Sequence, residues 1–169
     1  MLAYGLEKFV HDAREAGADG FIIPDLPLEE AEEFQTMLNA GRVDGDDLSR
    51  SYRDLPLIQM LAPTSPNERM ESIARNAKGF IYLVSVTGVT GERREISSDL
   101  GDLIQRVREH TSVPVCVGFG IGTPEQAKQV GKLADGVIIG SACVKMIGSS
   151  EMPVESARQF AKSFKDALI

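Results

Sequence analysis

Apolar side chains recur at Leu6, Phe9, Val10 and Ala13, the i, i+3, i+4, i+7 spacing of one helix face, and Gly17 stands where a left-handed cap would end that helix. Five short runs rich in β-branched and aromatic residues follow: Phe21-Ile22-Ile23, Leu57-Ile58-Gln59-Met60-Leu61, Phe80-Ile81-Tyr82-Leu83-Val84, Val113-Pro114-Val115-Cys116-Val117 and Gly136-Val137-Ile138-Ile139. They are near-continuous rather than alternating, the pattern of parallel strands covered on both faces. Amphipathic stretches separate them. Ser65-Pro66-Asn67-Glu68 and Thr123-Pro124-Glu125-Gln126 both read as capping boxes with proline at the first helical position. Behind them lie the stripes Met70, Ile73, Ala74 and Ala127, Val130, Leu133, Ala134. Further helices are predicted from about Ser98, with Leu100, Leu103, Ile104 and Val107, and at the end of the chain, with Val154, Ala157, Phe160, Ala161, Phe164 and Leu168. The order is a helix, then five βα units.

Alternating β and α with short loops predicts a parallel sheet, either doubly wound or closed as a barrel. Glycine-bearing segments follow several different strands, and the last two strands both contribute, as in the phosphate site of a (β/α)₈ barrel. A dinucleotide fold would place one G-x-G-x-x-G after its first strand, and nothing of that kind follows Phe21-Ile22-Ile23. At roughly 30 residues per unit, a chain of 169 residues supplies about five of eight. The expected fold class is therefore α/β: a partial TIM barrel of about five parallel βα units, corresponding to the later strands, in one incomplete domain over residues 1–169. Residues 39–54, polar and aperiodic, read as a surface loop insertion.

The chemistry is concentrated in three of those glycine segments: Thr87-Gly88-Val89-Thr90-Gly91, Gly118-Phe119-Gly120-Ile121-Gly122 and Gly140-Ser141-Ala142. Glycine lets backbone N–H groups approach an anion, and a helix N-terminus adds free donors and a favourable dipole. Together they predict a cradle for a phosphorylated small molecule. The net charge of −7, with 18 Lys and Arg against 25 Asp and Glu, argues against a nucleic-acid or anionic-membrane partner. Cys116 and Cys143, far apart and outside any CxxC spacing, suggest neither metal site nor disulfide. No apolar stretch approaches a membrane span, and Met1 is not followed by a signal-peptide pattern, so a cytoplasmic location is expected.

By residue pattern alone, Tyr82 reads as a core tyrosine with a satisfied hydroxyl, and Thr90 and Asp25 read equally as turn residues. His11 and His110 read as surface residues, and Glu29, Glu30, Glu32 and Glu33 as a solvated helix face.

At Pro24-Asp25-Leu26-Pro27-Leu28-Glu29-Glu30, Leu61-Ala62-Pro63-Thr64-Ser65, Tyr82 through Gly91, and Val117-Gly118-Phe119-Gly120-Ile121, the chain resembles the tryptophan synthase alpha subunit, in the same order over nearly its whole length. The resemblance implies a carbon–carbon lyase of tryptophan biosynthesis on a (β/α)₈ barrel, cleaving indole-3-glycerol phosphate to indole and glyceraldehyde 3-phosphate. It also implies a beta-subunit partner in an alpha2beta2-type complex, with pyridoxal phosphate bound by that partner and no cofactor or metal in this chain.

Carried over by position, the resemblance puts the substrate phosphate on backbone donors of Gly91, Gly120, Gly140 and Ser141 and on the Ser141 hydroxyl. Tyr82 would lie near the glycerol chain, Phe119 would line the indole pocket and Thr90 would help close a loop over substrate. Asp25 and Pro27 would face the beta subunit and carry signalling. The family's acid/base glutamate and the aspartate on the indole N–H precede the region matched by Leu2-Ala3-Tyr4-Gly5, so no catalytic residue is expected among these positions and turnover should be weak or absent. The alternative is a non-catalytic phosphate-binding or beta-subunit-docking module. A five-strand partial barrel also has open edges, and association through them is expected.

Overall fold

The computed structural model describes residues 2–39, 55–84, 99–118 and 120–169. Thr90, Gly91, Phe119 and nearly all of the 39–54 insertion lie outside the described residues. The chain divides into two compact units, Met1–Gln59 and Met60–Ile169.

In the first unit a 3-10 turn, Leu2–Tyr4, leads into helix α1, Leu6–Glu15. Gly17 takes φ 83°, and the N–H groups of Ala18 and Gly17 reach back to the carbonyls of Ala13 and Arg14, both at 2.9 Å. That is a Schellman motif, and it ends the helix where the glycine predicts. Strand β1, Phe21–Ile22, pairs in parallel with Leu57 and Ile58, the opening residues of β2, Leu57–Leu61. Between them runs α2, Leu28–Asn39.

The unit's core joins Val10 of α1, Ala31, Phe34 and Leu38 of α2, and Leu55 and Leu57. Phe21 stacks between Phe9 and Phe34, with ring centroids 5.3 and 5.8 Å away. Arg14 completes the packing by donating to the Leu38 carbonyl in the last turn of α2.

In the second unit the order is α3, Asn67–Asn76; β3, Ile81–Val84; α4, Asp99–Arg108; β4, Val115–Gly118; α5, Pro124–Gly131; β5, Gly136–Ile138; α6, Ser141–Gly148; and α7, Pro153–Leu168. Strands β3, β4 and β5 pair in parallel, so the predicted alternation of β and α holds. Ile81, Leu83, Val115 and Val117 are fully buried. Meeting this layer's apolar demand, α3 buries Met70, Ile73 and Ala74, α4 buries Leu100, Leu103, Ile104 and Val107, and α5 buries Ala127 and Val130.

Four local expectations need correction. The β3 and β4 runs, expected to be covered on both faces, instead alternate: Tyr82, Val84 and Cys116 are only half-buried. Pro114 does not open β4, because it has no N–H for the ladder; its carbonyl accepts from Ile81 N at 2.9 Å and the strand begins at Val115. Ser65 does not cap α3. Its hydroxyl turns back to accept from Ala62 N at 3.3 Å, closing the preceding turn, and Pro66 is left as an N-cap without a side-chain bond. In α7 only Phe164 of the predicted stripe is buried, whereas Val154 is 75% exposed. The cap at Thr123, by contrast, forms as a full capping box with Gln126.

One side chain ties the start of β4 to the turn before β5. Asp135 accepts from Val115 N at 2.8 Å and from Arg108 Nη2 at 2.8 Å, while its own N–H donates to the Val115 carbonyl at 3.0 Å. The Val115 N–H, and with it Arg108, holds this carboxyl below the ordinary carboxylate range. A lowered folded-state pKa means stability that is present above the unfolded value near 4 and lost as pH falls through the lower folded value. Asp135→Ala is therefore expected to cost about 1–2 kcal/mol at pH 7, the solvent exposure of the pair discounting a fully charge-assisted bond. Urea denaturation should show that difference shrinking as pH is lowered below about 4; an unchanged midpoint at pH 7 would refute it.

Candidate phosphate and substrate site

The register of β3, β4 and β5 decides which loops can meet. Val84, Gly118 and Ile138 are paired across the three strands, so all three carboxyl ends fall on one rim of the sheet. The turns that follow β4 and β5 start side by side from that rim. The segment after β3, which carries Thr90 and Gly91, leaves from the same rim and lies outside the described residues.

Of the described glycines there, Gly120 takes φ 79°, a conformation that disfavours a side chain and lets the chain leave β4 sharply. Gly122 N donates to Gln126 Oε1 at 2.8 Å, and Thr123 N to the same oxygen at 3.2 Å; Gln126 N donates to Thr123 Oγ1 at 3.3 Å. The N-terminal donors of α5 are thus used by its own cap.

Helix α6 differs. Gly140 is its N-cap, no side chain caps it, and the N–H of Val144 is the first to reach back, to the Gly140 carbonyl at 3.1 Å. A Cβ built on Gly140 would meet nothing within 4 Å. Gly140 and Ser141, both exposed, open the helix without a side-chain cap, the kind of helix start that can hold an anion. Of the two helix starts that follow β4 and β5, the structure leaves the second open.

Tyr82 lies on the half-buried face of the sheet with Cys116 and Gly136, its registered neighbours. Its phenol leans toward the carboxyl rim and covers the Cα of Gly118: a Cβ there would overlap the hydroxyl and come within 2.6 and 2.7 Å of Cζ and Cε1. Burial pushes the phenol pKa up from the ordinary tyrosine value, which already leaves a hydroxyl protonated at neutral pH. Gly118, grouped by sequence with the anion-binding glycines, is the residue that makes room for Tyr82. No sequence signal marks that pairing, because the two positions are 36 residues apart and meet only through strand register. Cys116, pushed up by burial and then by Asp135, packs its sulfur 2.9 Å from where a Gly136 side chain would start.

Asp25 is exposed, in a turn closed by Leu26 N donating to the Ile23 carbonyl at 3.3 Å. Pro27 is half-buried, and its carbonyl accepts from Glu30 N and Ala31 N as α2 begins. Both sit just past the carboxyl end of β1, in the first unit. His110, read from sequence as a surface residue, is half-buried, with Nε2 3.9 Å from Glu71 Oε1.

A separate surface cavity of about 380 Å³ in the first unit is lined by Tyr4, Phe9, Asp12 and Ala13 and holds none of the predicted site residues. Both cysteines are free, and no group of three or more His, Cys, Asp or Glu among the described residues could hold a metal ion. No described helix is long and apolar enough to cross a membrane.

A family model described as the tryptophan synthase alpha chain matches residues 1–168. The tryptophan synthase alpha chain of Pelobacter propionicus is 43% identical over 168 residues, covering 98% of this chain and 58% of that protein. Among solved structures, Mycobacterium tuberculosis tryptophan synthase superposes with a TM-score of 0.80 at 31% identity, covering 99% of this chain and 58% of that one. A structure of the tryptophan synthase α2β2 complex of Pyrococcus furiosus gives 0.75 at 30%, covering 99% and 62%. The chain thus spans a little under three fifths of the length of its curated relatives. The parallel α/β fold expected from the sequence, of the TIM-barrel type, is the fold these matches share.

The Tyr82–Gly118 contact is testable by a double-mutant cycle. Gly118→Ala should destabilise the protein by about 1–3 kcal/mol through overpacking, and most of that cost should vanish in a Tyr82→Ala background, where the phenol is gone. Additive costs in chemical denaturation would show that Gly118 serves something else.

Proposed function

The chain belongs to the tryptophan synthase alpha chain family, and from that premise we propose that its second unit is the phosphate-holding part of a lyase site for indole-3-glycerol phosphate. The observation that carries the reading is the uncapped start of α6 after β5, with Gly140 and Ser141 opening onto free space on the rim where β3 and β4 also end. The substrate's phosphate binds the amides of the first turn of α6 and the Ser141 hydroxyl. Gly120 and Gly91 contribute from the neighbouring turns.

With the phosphate fixed, the glycerol chain lies toward Tyr82 and the indole toward Phe119. In the proposed reaction the bond between the indole ring carbon and the glycerol chain breaks. The ring carbon gains a proton, and the hydroxyl on the departing carbon loses one as it becomes an aldehyde. Each proton transfer, when catalysed by a positioned group, contributes typically about 10²–10⁴-fold. We assign neither to a residue of this chain: Tyr82, held protonated, positions the substrate. The 169 residues alone therefore bind the phosphorylated substrate and turn it over weakly or not at all.

Exposed Asp25 and half-buried Pro27, in the turn past β1, favour a second role as the face that meets a pyridoxal-phosphate-dependent beta subunit. The cofactor in that reading belongs to the partner. A chain that docks there without lyase activity would change beta-subunit turnover on titration and release no indole.

Binding of glycerol 3-phosphate, followed by calorimetry, tests the phosphate seat. Gly140→Asp, whose side chain would enter open space and place a carboxylate at the helix start, is expected to weaken binding at least tenfold with little change in unfolding midpoint. Ser141→Ala should weaken it by a smaller factor, on the order of one hydrogen bond to a charged group. Unchanged affinity in Gly140→Asp would remove α6 from the site. Indole release by the purified chain at the rate of a full-length relative would overturn the assignment of no catalytic residue.

A further inference from the structure

The first unit holds a cavity of about 380 Å³, lined by Tyr4, Phe9, Asp12 and Ala13, that the phosphate site does not use. Its volume falls within the range of small-ligand sites, roughly 300–1,000 Å³. Gly5, at φ 89°, joins the 3-10 turn to α1, and the Tyr4 ring stands edge-on to Phe9 with centroids 6.3 Å apart. These two rings and the Ala13 methyl give the hollow an apolar wall. Lys8 and Asp12, one turn apart on α1, form an ion pair beside it, and the Tyr4 hydroxyl donates to the same Asp12 oxygen, Oδ2. Lys8 Nζ lies 3.2 Å from that hydroxyl and 4.7 Å from the ring centroid. The mutual hydrogen bond moves Asp12 down and Lys8 up from ordinary values that already leave both groups charged at neutral pH.

We propose that this cavity is a site for an α-amino acid with an aromatic side chain, its ring against Tyr4 and Phe9, its ammonium on Asp12 and its carboxylate on Lys8. An exposed i, i+4 ion pair is by itself ordinary and contributes little to stability. This one borders an apolar hollow, so a positive and a negative group stand together beside an aromatic wall. Among the described residues both hydrogen bonds to the Asp12 carboxylate fall on Oδ2, which leaves Oδ1 to accept an ammonium proton. Lys8 donates to Asp12 and Tyr4 and has a third N–H for a carboxylate oxygen. Edge-on and offset contacts with two rings suit a third. A phosphate ester would meet the Asp12 charge, a simple amine would meet Lys8, and an uncharged arene would leave both idle. The zwitterion uses every group. The site is independent of the lyase reading, which gives none of these residues a role.

Titration of the 169-residue chain with L-phenylalanine, followed by amide NMR, tests the site. Saturable shifts centred on residues 4–13 are expected. Phenethylamine, which lacks the carboxylate, hydrocinnamate, which lacks the ammonium, and glycine, which lacks the ring, should each bind at least tenfold more weakly. Asp12→Asn and Lys8→Gln, both outside the buried core, should each weaken phenylalanine binding at least tenfold with circular dichroism unchanged. Lys8→Gln should also erase the preference for phenylalanine over phenethylamine, a readout that general loss of structure would not give. No shifts at millimolar phenylalanine, equal affinity for phenylalanine and its fragments, shifts confined to the second unit, or indifference to both substitutions would each overturn the proposal.

Discussion

The parallel register of β3, β4 and β5 is the constraint on which the rest of the second unit depends. Because Val84, Gly118 and Ile138 are locked level by the ladder, the three following segments must start from one rim, and a feature built from several loops becomes possible. Register also fixes faces. The same pairing that buries Ile81, Leu83, Val115 and Val117 against the helices turns Tyr82, Cys116 and Gly136 to the other side together. A one-residue slip of β4 would exchange these sets and bury Cys116 where Val117 now packs.

Asp135 protects that register at its vulnerable end. Pro114 cannot donate to a ladder, so the opening of β4 relies on the Val115 N–H finding the Asp135 carboxylate while Asp135 N–H answers the Val115 carbonyl. Arg108, from the last turn of α4, holds the second carboxylate oxygen. The end of α4, the start of β4 and the turn before β5 are thus joined near the amino end of the strand, leaving the carboxyl rim free for turns shaped by Gly120 and Gly140.

The two helices that start after β4 and β5 illustrate how similar local chemistry leads to different availability. Thr123 and Gln126 satisfy the start of α5 from within, whereas α6 begins at Gly140 with no side chain to take that role. The proposed phosphate seat rests on that open helix start after β5, on the rim toward which the Tyr82 phenol leans. Family membership gives that environment its chemical context.

Much of this was legible in the residues themselves. The helical spacing of Leu6, Phe9, Val10 and Ala13, the stop at Gly17 and the cap at Thr123 are local, set by side chains within a few positions of the backbone they act on, and all three form as the sequence implies. Ser65 shows the limit of such reasoning, since one hydroxyl had two nearby donors to choose from and the turn at Ala62 won. What only the tertiary structure decided are the meetings across strands: Tyr82 over Gly118, Cys116 against Gly136, Asp135 on Val115 and Arg108. Those contacts join residues about 20 or more apart in the chain, and no local pattern encodes them, because each exists only once register has chosen which side chains stand level and on which face.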